Sequence, residues 1–172
     1  NFEDVLNQLE KQRQEMEHAK EEAEKEAQRI AQKKTVFDVT EDFIVSKALS
    51  EPRTRMYRVL FRSMSRYYVY RNKVLCKPFT WCIDDVTRAD IEDFFDFLAN
   101  EHIYRKKYKK IFDKEKGIHN EADKEKRKHK TIKYEARGNN ALIDMQKRVK
   151  AIWNWMLKNG ITSNNAILGI EI

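Results

Sequence analysis

The chain has 172 residues and a formal charge of +7, with an isoelectric point near 9.3. That length suits one domain with an appendage, and that charge favours an anionic partner, nucleic acid before a membrane surface. Aromatic content of 11% excludes a disordered chain, four Gly and two Pro exclude a many-turned β fold, and no apolar run nears the roughly 18 residues needed to span a bilayer.

Residues 2–37 carry one continuous pattern. Phe2, Val5, Leu9, Gln12, Met16, Ala19, Ala23, Glu26, Ile30, Lys33 and Phe37 step by alternating threes and fours, a heptad-like stripe. The intervening residues are strong helix formers, so the spacing predicts one helix about 50 Å long. Gln12, Glu26 and Lys33 thin the seam, which leaves a solvated linker helix, a self-associating coiled coil and a functional acidic-basic surface open.

Asp38 to Leu49 reads as a short helix with Phe37, Phe43, Ile44 and Leu49 on its apolar face. Ser50-Glu51-Pro52 marks a break and a new start, with Ser50 able to cap and Pro suited to the first turn. The next helix runs to about Tyr70 with a core stripe of Tyr57, Leu60, Phe61, Met64 and Tyr68. Residues 72–86 lose helical period, and the segment near 77–83 is expected to be extended, as one short strand or an ordered loop. Thr87 then opens a helix with Asp90 in a capping box, burying Ile91, Phe94, Phe95, Leu98 and Ala99.

Residues 104–137 hold fourteen Lys or Arg against six Asp or Glu, a net +8 that leaves −1 for the rest of the chain. An extended helix end followed by a flexible basic loop is expected there, broken at Gly117 and Gly138. Asn140 to Asn159 forms the last helix, with Leu142, Met145, Val149, Ile152, Trp153 and Met156 inward and Gly160 at its C-cap. Residues 163–172 read as an exit connector.

The binding signal lies on two helices. Arg55, Arg58, Arg62 and Arg66 are spaced by three, four and four, forming a stripe that can reach phosphates or base edges while the other side packs. Arg53 and Thr54, just before the stripe, are further DNA-contact candidates. The last helix offers Lys147, Lys150 and Asn154 on its exposed side, with Arg148 flanking, and Arg137, Asn139 and Asn140 lie at its start, where backbone N–H groups also hold phosphate. Simple capping by the Asn pair competes with that reading. The basic loop, including Lys106, Lys107, Lys109, Lys110, Lys126, Arg127 and Lys128, either tracks a backbone or is a solvated insertion.

No enzymatic constellation stands out. His18, His102, His119 and His129 have no metal spacing, Cys76 and Cys82 form neither a metal pair nor a disulfide framework, and there is no Gly-rich phosphate loop. No metal, cofactor or catalytic residue is assigned. Trp81, Trp153 and Trp155 are read as core aromatics rather than base-stacking platforms.

The stretch Asp85-Val86-Thr87-Arg88-Ala89-Asp90-Ile91-Glu92-Asp93-Phe94-Phe95-Asp96-Phe97-Leu98 resembles a helix segment of tyrosine site-specific recombinases, the phage-type integrases. Asn140 to Gly160, with Trp153-Asn154-Trp155 and then Ile161-Thr162-Ser163-Asn164-Asn165, is similar to that family's closing helix, Asn165-Ala166 standing where Asn-Pro is usual. The helix with Thr54 and the Arg stripe matches the other DNA-facing helix. The resemblance spans roughly 36–172. It implies an all-α fold: a long N-terminal helix (1–35) linking an upstream arm-binding region, a four-helix core-binding bundle of the SAM-like integrase type (36–162), a charged insertion at about 104–137, and a connector (163–172) to a catalytic domain. It implies clamping of crossover-site duplex DNA during integration or recombination of a bacterial mobile element, with other recombinase protomers as partners, no small-molecule substrate, and a cytoplasmic setting. His102-Ile103-Tyr104-Arg105 spells the family's H-x-x-R box but lacks a following Tyr box, so it is read as coincidence. The first residue, Asn1, is expected to lie inside a longer chain. A helical scaffold associating through 2–37 and an RNA-binding helical domain are the alternatives.

Overall fold

The computed structural model describes residues 1–115 and 133–172. The described residues form six α-helices and no strand. They divide into two units, Asn1–Lys34 and Thr35–Ile172.

The first unit is the helix α1, Phe2–Gln32. Asn1 Oδ1 accepts from the Glu3 N–H at 3.2 Å, and Glu3 and Asp4 occupy the first turn, where the helix dipole favours negative charge. From Asn1 to Arg29 every residue is exposed, so the helix rests on local propensity and on i,i+3 and i,i+4 pairs such as Arg29–Glu26 at 2.6 Å.

The second unit packs α2 (Val36–Ser46), α3 (Glu51–Val69), α4 (Arg88–Lys107), α5 (Lys109–Lys114) and α6 (Asn139–Lys158). Thr35 starts α2 two residues earlier than the apolar spacing predicts, because Asp38 Oδ2 accepts from the Thr35 N–H at 2.8 Å and closes a capping box. Its other end is a Schellman turn: the Ala48 N–H donates to Val45 O, the Leu49 N–H donates to Ile44 O, and Ala48 takes φ +47°. α6 ends in the same motif through Gly160 (φ +66°) and Ile161, the latter donating to Met156 O at 2.9 Å. Thr87 caps α4 with the expected reciprocal pair, Asp90 N to Thr87 Oγ1 at 3.1 Å and Thr87 N to Asp90 Oδ2 at 3.0 Å.

The core is aromatic. Tyr67 is fully buried among Phe79, Trp81, Phe94 and Phe97, with ring centroids 5.1–5.6 Å away. This corrects the α3 stripe, which the spacing ended at Tyr68; Tyr68 is exposed and Tyr67 takes the inward place. The same kind of error occurs on α4, where Phe97 is buried and Ala99 is exposed. Both helices lie between two packed neighbours, so their buried arc is wider than one stripe. The three tryptophans are core residues, each donating its indole N–H: Trp81 to Met64 O, Trp153 to Asn164 O and Trp155 to Ser46 Oγ.

Beyond Val69, α3 widens into a π-helical turn, Tyr70–Val74, with the Leu75 N–H reaching back five residues to Tyr70 O. The segment after it is an ordered loop rather than a strand. Asn72 donates to Phe79 O and accepts from the Phe79 N–H, and the extended contact amounts to one antiparallel bridge between Thr35 and Cys82.

Residues 163–172, expected as a connector, belong to the packed unit. Ala166, Ile167 and Ile170 join the main core, and the Asn164 amide donates to Ile83 O and Val86 O.

Candidate nucleic-acid interface

α3 turns by about 100° per residue, so Arg55, Arg58 and Arg62 fall on the side away from Tyr57, Leu60 and Met64. Arg55 is exposed and lies 3.8 Å from Glu51. Arg58 donates twice to the Glu41 carboxylate of α2, at 2.8 and 3.4 Å. That hydrogen-bonded pair holds Glu41 below its ordinary range and raises Arg58. Both side chains remain exposed, so the pair adds little stability and can be exchanged for a phosphate. Arg62 is half-buried.

Arg66 leaves the stripe. Its residue is only 5% exposed, and Nη1 donates to Glu101 Oε1 at 2.8 Å. Arg137, assigned to the start of the last helix as a phosphate ligand, converges on the same carboxylate: Nη1 lies 2.6 Å from Glu101 Oε2 and Nη2 donates to Ser63 Oγ at 3.1 Å. Ser63 Oγ lies 2.9 Å from Glu101 Oε2, so every oxygen of this 1%-exposed carboxylate is engaged. Burial alone would raise the Glu101 pKa; two guanidiniums outweigh it and hold Glu101 below the usual carboxylate range. Burial pulls Arg66 below the ordinary arginine value in spite of Glu101. Glu101 of α4 is buried against α3, and two cations, one from α3 and one from the residues before α6, pair with its carboxylate. Both arginines are therefore structural.

The residues that do come together are Arg53 and Arg148. With Pro52, Met56 and Tyr57 they line a surface cleft of about 250 Å³ joining the first turns of α3 to the middle of α6. Arg53 reaches it because it stands four residues before Tyr57, on the same side of α3. Tyr57 packs edge-on against Phe43, 5.0 Å between centroids, which fixes the cleft floor. Burial raises the Tyr57 pKa while the Arg148 and Arg53 charges pull it down. The cleft thus joins two cations to an aromatic and thioether floor, a combination suited to a phosphate with an apolar edge beside it.

Thr54 is half-buried, and its N–H donates to Ser50 O at 2.9 Å. Ser50 stands at the N-cap without a side-chain capping bond. Asn139 and Asn140 are exposed in the first turn of α6, and the cap position belongs to Gly138. Lys147 and Asn154 are exposed and Lys150 half-buried on the outward side of α6, opposite Met145, Val149, Ile152 and Met156.

Two other clefts differ in charge. One of about 530 Å³ is lined by Arg88, Glu92, Asp96 and Glu171, and its single arginine is bonded to Glu92 at 2.7 Å. That sign repels phosphate. Another of about 490 Å³ holds Lys106, Lys107, His102 and Tyr134. Lys109 is tied to Asp113 at 2.6 Å, and Lys110 is exposed. Lys126, Arg127, Lys128, His119, His129 and Gly117 lie outside the described residues. Among the described residues no three His, Cys, Asp or Glu side chains converge as a metal site would require, and no helix is long and apolar enough to cross a membrane.

The Met56–Tyr57 floor escaped the sequence reading. The Arg53-x-x-x-Tyr57 spacing was a visible signal, but nothing in the sequence pairs position 53 with position 148. No family model, no curated protein and no solved structure matches this chain.

Proposed function

We propose that Thr35–Ile172 is a DNA-holding domain of the tyrosine-recombinase core-binding type, gripping duplex phosphates from α3 and α6. The observation that carries the reading is the shared cleft. Arg53 and Arg148, 95 positions apart by number, flank one Tyr57 floor on the two helices that the family resemblance makes DNA-facing. Arg55, Arg58, Lys147 and Lys150 supply further cations on the outward faces of the same two helices. In this reading the chain holds crossover-site DNA for strand exchange on a mobile element, and the chemistry is done by a catalytic domain.

Fluorescence anisotropy of a labelled duplex, repeated over a series of salt concentrations, tests it. Affinity should fall linearly on a log–log plot against salt, and Arg53→Ala/Arg148→Ala should reduce that slope by about 2, one per lost phosphate contact. An unchanged slope, or salt-insensitive binding, overturns the proposal. Tighter binding of an RNA duplex than of DNA favours an RNA-binding domain instead.

A further inference from the structure

α1 keeps its apolar residues on one side. With Phe2 at heptad position a, Leu9, Met16 and Ala23 also fall at a, while Val5 and Ala19 fall at d. Of the remaining apolar residues before Ile30, Leu6 and Ala27 fall at e, and positions b, c, f and g hold none. The helix leaves this seam in water, with Phe2 77%, Leu9 56% and Met16 73% exposed. A strip of that kind lowers its free energy by finding a second apolar strip.

The charges beside the seam say which strip. Position e holds Arg13 and Lys20, and position g holds Glu15 and Glu22. In a parallel pair, g of one strand faces the following e of the other, so Glu15 meets Lys20 of the second copy twice by symmetry. In an antiparallel pair e faces e and g faces g, which sets like charges together. The intrahelical pairs of these residues are long and exposed, Arg13–Glu10 at 3.8 Å and Lys25–Glu22 at 4.0 Å, so they do not compete strongly. Gln12 at d is polar and meets its own counterpart only when the strands are in register.

We infer that α1 pairs with α1 of a second copy of this chain as a parallel, in-register coiled coil over Phe2–Ala23. The inference stands apart from the DNA reading, since the pairing needs no nucleic acid.

Sedimentation equilibrium of the full chain over a concentration series tests it. A monomer–dimer equilibrium is expected. Glu15→Lys should weaken the dimer about tenfold, because both symmetric pairs become Lys–Lys. Lys20→Glu should do the same, and the double variant should restore wild-type association. Association undiminished by Glu15→Lys would overturn the inference, as would a monomer at every concentration. Orientation has an independent readout: on a Cys76→Ser background, Ala19→Cys should cross-link under oxidation and Glu17→Cys, at position b, should not. Cross-linking equal at both sites would likewise overturn it.

Discussion

At the start of α3, Arg53 and Arg55 reach solvent, whereas further along the same helix Arg66 is sealed against Glu101 with a second arginine, Arg137, closing the other side. The residue type is the same and the helix is the same. What differs is the neighbour. The first turns of α3 run beside a cleft whose charged residues are Arg53 and Arg148, while the later turns pack against α4 where Glu101 is buried. An arginine beside an unneutralised cation is available to an anion from outside, and an arginine beside a buried carboxylate is already committed. What stands opposite thus divides the helix into an end whose arginines face solvent and an end whose arginine is buried and paired.

The sharpest way to break this division is to remove the carboxylate. Glu101→Ala strands two guanidiniums in a nearly dry site and should cost about 3–5 kcal/mol, read by urea denaturation. Because the folded state depresses the Glu101 pKa, the stability it supplies is present above the ordinary carboxylate range. It is lost as pH falls through the lower folded value. Glu101→Gln should flatten that acid limb relative to wild type, which a pH series of unfolding midpoints would show.

Next in size is the other end of the helix. Arg53→Ala/Arg148→Ala should weaken duplex binding by about 10- to 100-fold at moderate salt, and leave the unfolding midpoint close to wild type. A variant that unfolds as readily as Glu101→Ala would erase the distinction between the two ends.

Two helix ends set a smaller scale. The Schellman turn after α2 holds Ala48 at φ +47°, and the one after α6 holds Gly160 at φ +66° with open space around it. Ala48→Gly should therefore stabilise, and Gly160→Ala destabilise, each by about 1 kcal/mol in thermal unfolding. The smallest effect is expected at Arg58. Its removal frees Glu41 at the surface, so stability should move by less than about 0.5 kcal/mol, while DNA affinity drops by only a few fold.

Much of the fold was legible in the sequence because local rules were obeyed locally. The Thr87–Asp90 box, the break at Ser50-Glu51-Pro52 and the inward spacing from Met145 to Met156 each lie within a few turns of chain. Tyr67 and Phe97 were missed for a reason the stripe cannot carry: a helix packed on two sides buries residues beyond its best face. The candidate site was legible in part. α3 and α6 both present cations, yet which arginines face outward depended on Glu101, 35 positions from Arg66 and 36 from Arg137, and no local pattern announces such a partner. The capping role weighed for Asn139 and Asn140 went to Gly138, since the helix begins one residue earlier than its apolar spacing implies.

The wide turn at Tyr70–Val74 has a consequence for residue count. A helix that bonds five back instead of four holds one residue more than its rise needs, so the chain beyond the turn is rotated relative to a regular continuation. Here Tyr70 and Arg71 open the turn, Tyr70 stacked on Tyr104 at 4.5 Å between centroids and Arg71 3.5 Å from Asp90, and the chain beyond folds back with the Lys77 N–H donating to Arg71 O at 2.9 Å. Deleting a single residue from this turn would leave the local composition almost unchanged and yet swing the following loop, with Phe79 and Trp81, off Tyr67. The joint between α3 and α4 is therefore specified by a number as well as by chemistry, and a one-residue deletion there should do more harm than most substitutions.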